Sequence, residues 1–315
     1  MYGHLIHFVQ RVWWEGRRLT LERTFPLWQA LGVHITPNHY YSPIPDTRRL
    51  SPTLWSRQLP DLPGVDLRGD FQLGLLQEFD GRFGEEYRLL PSDSSSSDGG
   101  YYIHNGSFES VDGEVLYCMI RKFRPRRYVE VGAGASTLLT RQALLRNREE
   151  GSPCEFVCIE PYPSPRVRKA VAGFGDLVDK PLEEVGLEVF TELRSNDILF
   201  IDSTHVVRIG GDVIYEILEI LPRLSPGVVV HLHDIFLPAH YPRNWVLKEK
   251  RFWTEQYLFQ AFLAFNSAFE VLWGGSYMHL MHADQLAVSF PSYHERTTLP
   301  GSFWIRRTMR ATEPS

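Results

Sequence analysis

The residues best equipped for chemistry sit in two short segments, Asp197–His205 ("DILFIDSTH") and Gly227–Phe236 ("GVVVHLHDIF"). Three valines in a row read as a buried strand, yet this one runs into His231, His233 and Asp234. A buried imidazole or carboxylate must find a hydrogen bond, a counter-charge or a metal. Either the strand leaves the core at His231, or it delivers ligands into a site. Strand alternation sends His231 and His233 to one face and Leu232 to the other. If the two segments are neighbouring strands about 4.8 Å apart, Asp202, His233 and Asp234 converge on one point. Carboxylate, imidazole and carboxylate make a facial ligand set with positions open for substrate. An imidazole in that set favours Mn²⁺, Fe²⁺ or Co²⁺ ahead of Mg²⁺. His205, with an ordinary pKa near neutrality, is a candidate general base. Two other readings stand beside this one. In the first, Asp202 contacts a cofactor or caps a turn while His233 and Asp234 form a metal-free pair in which the histidine is the base. In the second, the cluster is structural.

A second constellation lies upstream in Tyr128–Thr140 ("YVEVGAGASTLLT"), which reads as strand, glycine turn and helix. Gly132 and Gly134 permit a tight turn and close approach of a ligand. The helix starting near Ser136 offers free N–H groups and the positive end of its dipole to an anionic group. The loop fails as a dinucleotide fingerprint, because the third glycine of G-x-G-x-x-G falls on Thr137. Glu130, within the strand, argues against a pyrophosphate and suits an ammonium-bearing ligand. The next strand ends at Glu160, where a carboxylate can accept both hydroxyls of a ribose.

The elements that must position these groups alternate along the chain after Gly100. Helical spacing runs over 111–123, followed by a strand at 128–131, a helix at 136–149, a strand at 155–160 and a helix at 164–173. A weak strand at 177–179, a strand at 197–202, a helix at 210–224 and a strand at 227–233 continue the pattern. A long helix near 248–266 and strands at 269–273 and 285–290 complete it. Such alternation predicts an α/β, Rossmann-like doubly wound and mostly parallel sheet of seven strands. The last two strands are joined without a clear helix, so the last one is expected to be antiparallel.

With these residues in place, E-x-G-x-G after the first strand and an acid after the second resemble the class I S-adenosylmethionine-dependent methyltransferases. The segments 107–140 and 198–236 resemble more narrowly a bacterial family whose glycine loop reads G-x-G-x-S-T, and the likeness runs from about Gly106 to Phe290. The resemblance implies S-adenosyl-L-methionine as cofactor, with Gly132 and Gly134 facing its methionine part, Ser136 capping its carboxylate and Glu160 holding its ribose. Ser136 departs from the family's third glycine. The cluster is also similar to that of metal-dependent small-molecule O-methyltransferases, which place one acid after the fourth strand and an acidic pair or acid and amide after the fifth. Asp202 and Asp234 match that pattern and His233 departs from it.

The rest of the chain bounds these readings. In 315 residues, 43% hydrophobic residues suffice for a core. A net charge of −5 leaves no electrostatic footprint for nucleic acid. Cys118, Cys154 and Cys158 lack metal spacing and point to a reducing compartment, hence a cytoplasmic protein. No apolar run reaches the length of a membrane span, and residues 1–18 make a poor signal peptide. Leu5, Ile6, Phe8, Val9, Val12 and Trp13 could form one amphipathic helix.

The polar stretch "SDSSSSDGG" divides an irregular or helical N-terminal cover (1–100) from an S-adenosylmethionine-binding domain (101–295), with a C-terminal tail at 296–315. Tyr40, Tyr41, Trp245, Tyr257 and Trp273 could line a lid over an apolar acceptor or simply pack, and His279 and His282 read as loop residues. The expected partner is a small-molecule acceptor, not nucleic acid or membrane, with a homo-oligomer left open. The function so read is methyl transfer from S-adenosylmethionine to a nucleophilic atom of a small metabolite. The alternatives are a metal-dependent hydroxylase or lyase on the same sheet, and a non-catalytic cofactor-binding subunit.

Overall fold

The computed structural model describes residues 16, 19–56, 62–97 and 99–309. The expected amphipathic helix at residues 5–13 lies outside the described residues. By its contacts the chain forms two compact units, one of residues 1–56 with 243–252 and a larger one of 57–242 with 253–315. In the smaller unit, residues 19–30 are helical, and the His39 ring packs at a tilt against Tyr40 and Tyr41, whose side chains are exposed.

The larger unit is built on a seven-stranded sheet. Its strands are β1 (Arg127–Val131), β2 (Glu155–Ile159), β3 (Asp176–Val178), β4 (Ile198–Ile201), β5 (Val229–Leu232), β6 (Phe269–Gly274) and β7 (Phe303–Arg307). They lie in the order β3-β2-β1-β4-β5-β7-β6, with β7 antiparallel to both its neighbours. Helices cover both faces, so alternate strand residues enter two separate cores. Tyr128, Ile198, Phe200 and Val229 join one core, with α1 (Gly69–Tyr87), α2 (Asp112–Phe123), α3 (Ala135–Glu149), α4 (Pro165–Val171), α8 (Gly275–Met281) and α9 (Ala283–Ser289). Val129, Val131, Leu199, Ile201, Val230 and Leu232 join the other. That second core is closed by α5 (Glu188–Thr191), α6 and α7 (Glu255–Leu263). Helix α6 begins at Asp212–Ile214 and runs on through a π-helical Tyr215–Ile220 and a 3-10 turn, Leu221–Arg223.

Several expectations are corrected. Residues 285–290 are not a strand: Ala283–Ser289 is α9, and the last strand is Phe303–Arg307, inside the segment marked as tail. A six-residue apolar run is ambiguous between helix and strand, and the β-branched and aromatic "FWIRR" fits the pleated position. The expected long helix at 248–266 is instead a π-helical turn, Trp245–Glu249, and the separate α7, parted by Lys250 in a left-handed conformation. Before the serine stretch, where no long regular element was expected, α1 spans 19 residues. Its glycines lower helix propensity, but Gln72, Leu75, Leu76, Phe79, Phe83 and Tyr87 make one buried stripe at helical spacing. His279 and His282 lie on and just after α8 rather than in an open loop, and Trp273 is fully buried in the core rather than in a lid. Among the described residues no helix is long and apolar enough to cross a membrane.

Candidate active site

Parallel register brings the chemically active residues to one edge. Ile201 pairs with Leu232, the last pair between β4 and β5, so Asp202 and His233 are the next residues out on adjacent strands. The Asp202 N–H donates to the Val131 carbonyl at 2.8 Å and the His233 N–H to the Ile201 carbonyl at 2.9 Å. These bonds tie both residues to the carboxyl ends of β1 and β4, where ligands of open α/β sheets bind.

The glycine loop is held tightly there. Gly132 has φ +78, and a Cβ on it would collide with the Asp202 carbonyl, so only glycine fits. Gly134 caps α3, and its N–H donates to Thr137 Oγ1 at 3.0 Å. Glu160 closes the loop from the other side. Its carboxylate accepts the Ala133 N–H at 3.1 Å and the Tyr162 N–H at 2.8 Å. Gly132, Glu160 and Asp202 line a cleft of about 460 Å³, with Leu182, Thr204, Arg208 and Asp212 on its other walls. That volume lies in the range of small-molecule sites. Thr204 donates its N–H and its hydroxyl to Asp212, which holds the loop after β4 in place.

Glu130 and Ser136 lie beneath this loop rather than on the cleft wall. Glu130 is fully buried, accepts the Ser136 hydroxyl at 2.8 Å, and has its second oxygen buried without a partner. Burial pushes its carboxyl up to about 8, with the charges of Asp202 and Glu160 adding to the shift.

Asp202, His233 and Asp234 offer ligand atoms that all lie within 4.8 Å of one another. Nδ1 of His233 is 3.4 Å from Asp202 Oδ1 and 3.7 Å from Asp234 Oδ2. His205 joins them, its Nε2 3.3 Å from Asp202 Oδ1 and 3.6 Å from Asp234 Oδ2. Both imidazoles are buried, beneath Trp253 for His205 and Phe108 for His233, with ring centroids 4.4 and 4.8 Å apart. Both His205 and Asp234 take the left-handed backbone conformation, φ +61 and +55. That conformation costs a non-glycine residue about 1 kcal/mol and recurs at functional sites. His231, by contrast, is packed against Phe200 and Trp304, with Nε2 2.9 Å from Ser302 Oγ. Burial holds its imidazole well below its ordinary pKa, and it has no part in the cluster.

The charges balance locally. Burial alone would lower His205, but hydrogen bonds to Asp202 and Glu255 carry it up to about 10. Burial likewise opposes a charged His233, and the carboxylates of Asp234 and Asp202 outweigh it, so its pKa is raised. Burial would raise Asp202, but the His233 charge and the His205 hydrogen bond bring it well down. Burial wins at Asp234, which is raised.

Two residues of this arrangement escape the sequence reading. Glu255, at the start of α7, is fully buried and 2.8 Å from His205 Nδ1. Asp112, at the start of α2, lies 3.4 Å from His233 Nε2 and accepts the N–H groups of Gly301 and Ser302. Each reads in sequence as an ordinary first-turn helix acid, favourable near the positive dipole end. The buried imidazole it serves lies far along the chain.

Comparison with known proteins adds a family. Residues 129–235 match the family described as Methyltransferase domain. The chain is 30% identical over 174 residues to an uncharacterized protein of Archaeoglobus fulgidus, a match that spans 53% of this chain and 77% of that protein. Among solved structures, CmcI in its apo form covers 72% of this chain and 84% of its own at 15% identity, with a TM-score of 0.39. The O-methyltransferase from Bacillus cereus in complex with SAH covers 75% and 91% at 13% identity, with a TM-score of 0.38. These scores are low, and the fold assignment stands on the strand order itself.

Proposed function

Since the chain belongs to the class I S-adenosylmethionine-dependent methyltransferases, we propose that it moves the methyl group of S-adenosylmethionine to a nucleophilic atom of a small acceptor, assisted by a divalent metal at Asp202, His233 and Asp234. One observation carries the reading. Asp202 stands in both places at once, on the wall of the cleft with Gly132 and Glu160 and in the cluster with His233 and Asp234. Any group bound in the cleft is therefore one side chain away from the cluster.

The donor set fits a metal, because two carboxylates and an imidazole can surround a dication while leaving coordination positions open. When bound, the cofactor supplies an electrophilic methyl group and the metal a Lewis acid that lowers the pKa of a coordinated acceptor. The remaining work falls to this chain's own groups. The N-terminus of α3, capped at Gly134, presents N–H groups and a positive dipole end to an anionic cofactor group. Glu160 uses its remaining lone pairs on the ribose hydroxyls. Phe108 and Trp253, packed on the two imidazoles, keep bulk water off the cluster and so strengthen its electrostatics. Orientation in such a site is itself a large part of the rate.

The reading is tested without knowing the acceptor. Calorimetric titration of the purified, metal-stripped chain with S-adenosylmethionine, then with Mn²⁺, should give one site for each. His233→Ala should keep the first and lose most of the second. Absence of S-adenosylmethionine binding overturns the methyltransferase reading. Binding of the cofactor without Mn²⁺ leaves a metal-free site in which His233 or His205 serves as the base.

A further inference from the structure

We propose that His205 is a fourth ligand of the metal site, so that the ion is held by two imidazoles and two carboxylates, each imidazole fixed from behind by a buried carboxylate. The inference rests on the metal reading above and goes beyond it by assigning His205 and by giving roles to Glu255 and Asp112.

The first argument is the equivalence of the two histidines. Both ring nitrogens that face the cluster look at the same two oxygens, Asp202 Oδ1 and Asp234 Oδ2. His205 Nε2 does so at 3.3 and 3.6 Å, His233 Nδ1 at 3.4 and 3.7 Å. These separations lie beyond the long end of the usual 2.7–3.2 Å of a hydrogen bond, so any bonds across them are weak. The two distances to Asp202 Oδ1, 3.3 and 3.4 Å, are the spacing a shared ion imposes, and those to Asp234 Oδ2 are slightly longer. With metal–ligand bonds of about 2.1 Å, donors around one ion stand about 3.0 Å apart at right angles and about 3.4 Å apart at tetrahedral angles. The four distances treat the two rings alike, although the three residues whose donor atoms all lie within 4.8 Å of one another are Asp202, His233 and Asp234.

The second argument is the back of each ring. A metal-bound histidine almost always donates its other N–H to a carboxylate, carbonyl or water, which fixes tautomer and ring orientation. His205 has Nδ1 2.8 Å from Glu255 Oε2, and Glu255 is fully buried. His233 has Nε2 3.4 Å from Asp112 Oδ2, and Asp112 is buried and braced by two backbone N–H groups. With an ion bound, the rear nitrogen of each ring would carry the proton and the front nitrogen would offer its lone pair to the cluster. A free general base, by contrast, needs its acceptor nitrogen turned toward substrate, and His205 Nε2 is turned toward Asp202 and Asp234. The backbone agrees, since the left-handed conformation at His205 and at Asp234 aims both side chains at this point.

Two nitrogens and two oxygens form a harder-to-satisfy site for Mg²⁺ and a good one for Mn²⁺, Fe²⁺, Co²⁺ or Zn²⁺. In five- or six-coordinate geometry one or two positions stay open for the acceptor.

The test uses the full-length, metal-stripped chain loaded with one equivalent of Cu²⁺, and pulsed electron paramagnetic resonance to count coordinated imidazoles. Two imidazoles are expected in the wild type and one in His205→Ala. Co²⁺ affinity, measured by chelator competition, should fall more than about tenfold in His205→Ala and roughly 10–100-fold in Glu255→Gln, the usual effect of losing an outer partner. A single imidazole in the wild type overturns the assignment and needs no variant to fold. So does an unchanged Co²⁺ affinity in a His205→Ala protein whose circular dichroism is native. If the wild type binds neither ion in a one-to-one ratio, the metal reading itself falls and takes this assignment with it.

Discussion

Replacing Glu160 by alanine should weaken S-adenosylmethionine binding by about 2 kcal/mol, or roughly 30-fold in Kd. The magnitude follows from the bonds that Glu160 already makes. One carboxylate oxygen accepts the Ala133 N–H and the other the Tyr162 N–H, at 3.1 and 2.8 Å. Each oxygen has two lone-pair directions, so each keeps one for a ribose hydroxyl. Two charge-assisted bonds would contribute about 3–6 kcal/mol net if fully buried. Glu160 is only partly buried, and competition from water reduces the net to about 2 kcal/mol. The lost anchor to Ala133 adds to the effect by loosening the glycine loop.

Calorimetry on S-adenosylmethionine and on fragments of it separates these contributions. 5′-Methylthioadenosine keeps the ribose and should lose about the same free energy as the whole cofactor. Adenine lacks the ribose and should be affected only through the loop. A thermal melt of the variant must remain cooperative, since a collapsed loop would mimic the effect. A variant that binds S-adenosylmethionine within threefold of the wild type refutes the ribose assignment. Equal losses for adenine and methylthioadenosine would mean that Glu160 acts only as a brace for Ala133 and Tyr162.

Gly132→Ala should be strongly destabilising, by about 3 kcal/mol or more, because it combines a left-handed φ with a collision at Asp202; denaturant titration reads it, and a loss below 1 kcal/mol contradicts the close approach of the two loops. Glu130 gives a pH signature. Its folded pKa is raised from an ordinary 4.5 to about 8, so between those values the folded state holds a proton that the unfolded state has released. Stability should therefore fall as pH rises through that window, by up to ~5 kcal/mol, and level off above it. Glu130→Gln, which keeps an acceptor for Ser136, should flatten that part of the stability curve; an unchanged slope between pH 5 and 8 would show that Glu130 is ionised in the fold.

How much of this was readable beforehand follows from the range over which each signal acts. The glycine loop, Glu160, Asp202 and the HLHD run are local patterns, and strand alternation plus one adjacency suffices to bring the last two together. Register then does the rest, since Asp202 and His233 follow the final pair Ile201 and Leu232. Helix α1 was hidden because Gly74, Gly81 and Gly84 interrupt its composition, although a glycine leaves the spacing of the buried stripe intact. The last strand is hard to place because residues 285–290 and 303–307 are both short stretches with three or four apolar residues each, and only pairing with β5 and β6 decides between them.

The carboxylates behind the histidines were illegible for a deeper reason. A buried imidazole in sequence demands a partner without saying where it comes from. His205 finds Glu255 fifty residues on, at the start of a helix packed into the second core, and nothing in "TEQYLF" distinguishes that glutamate from one facing solvent. His233 finds Asp112, which also accepts the N–H groups of Gly301 and Ser302 just before β7. Asp112 therefore cannot move without disturbing three elements at once. A side chain so constrained makes a rigid support for the ring it faces, and rigidity in the supporting shell is what a precise metal or acid–base site requires. The same constraint explains why the sequence looks ordinary there: Asp112 satisfies helix, loop and histidine with one carboxylate, so no second unusual residue is needed to mark the place.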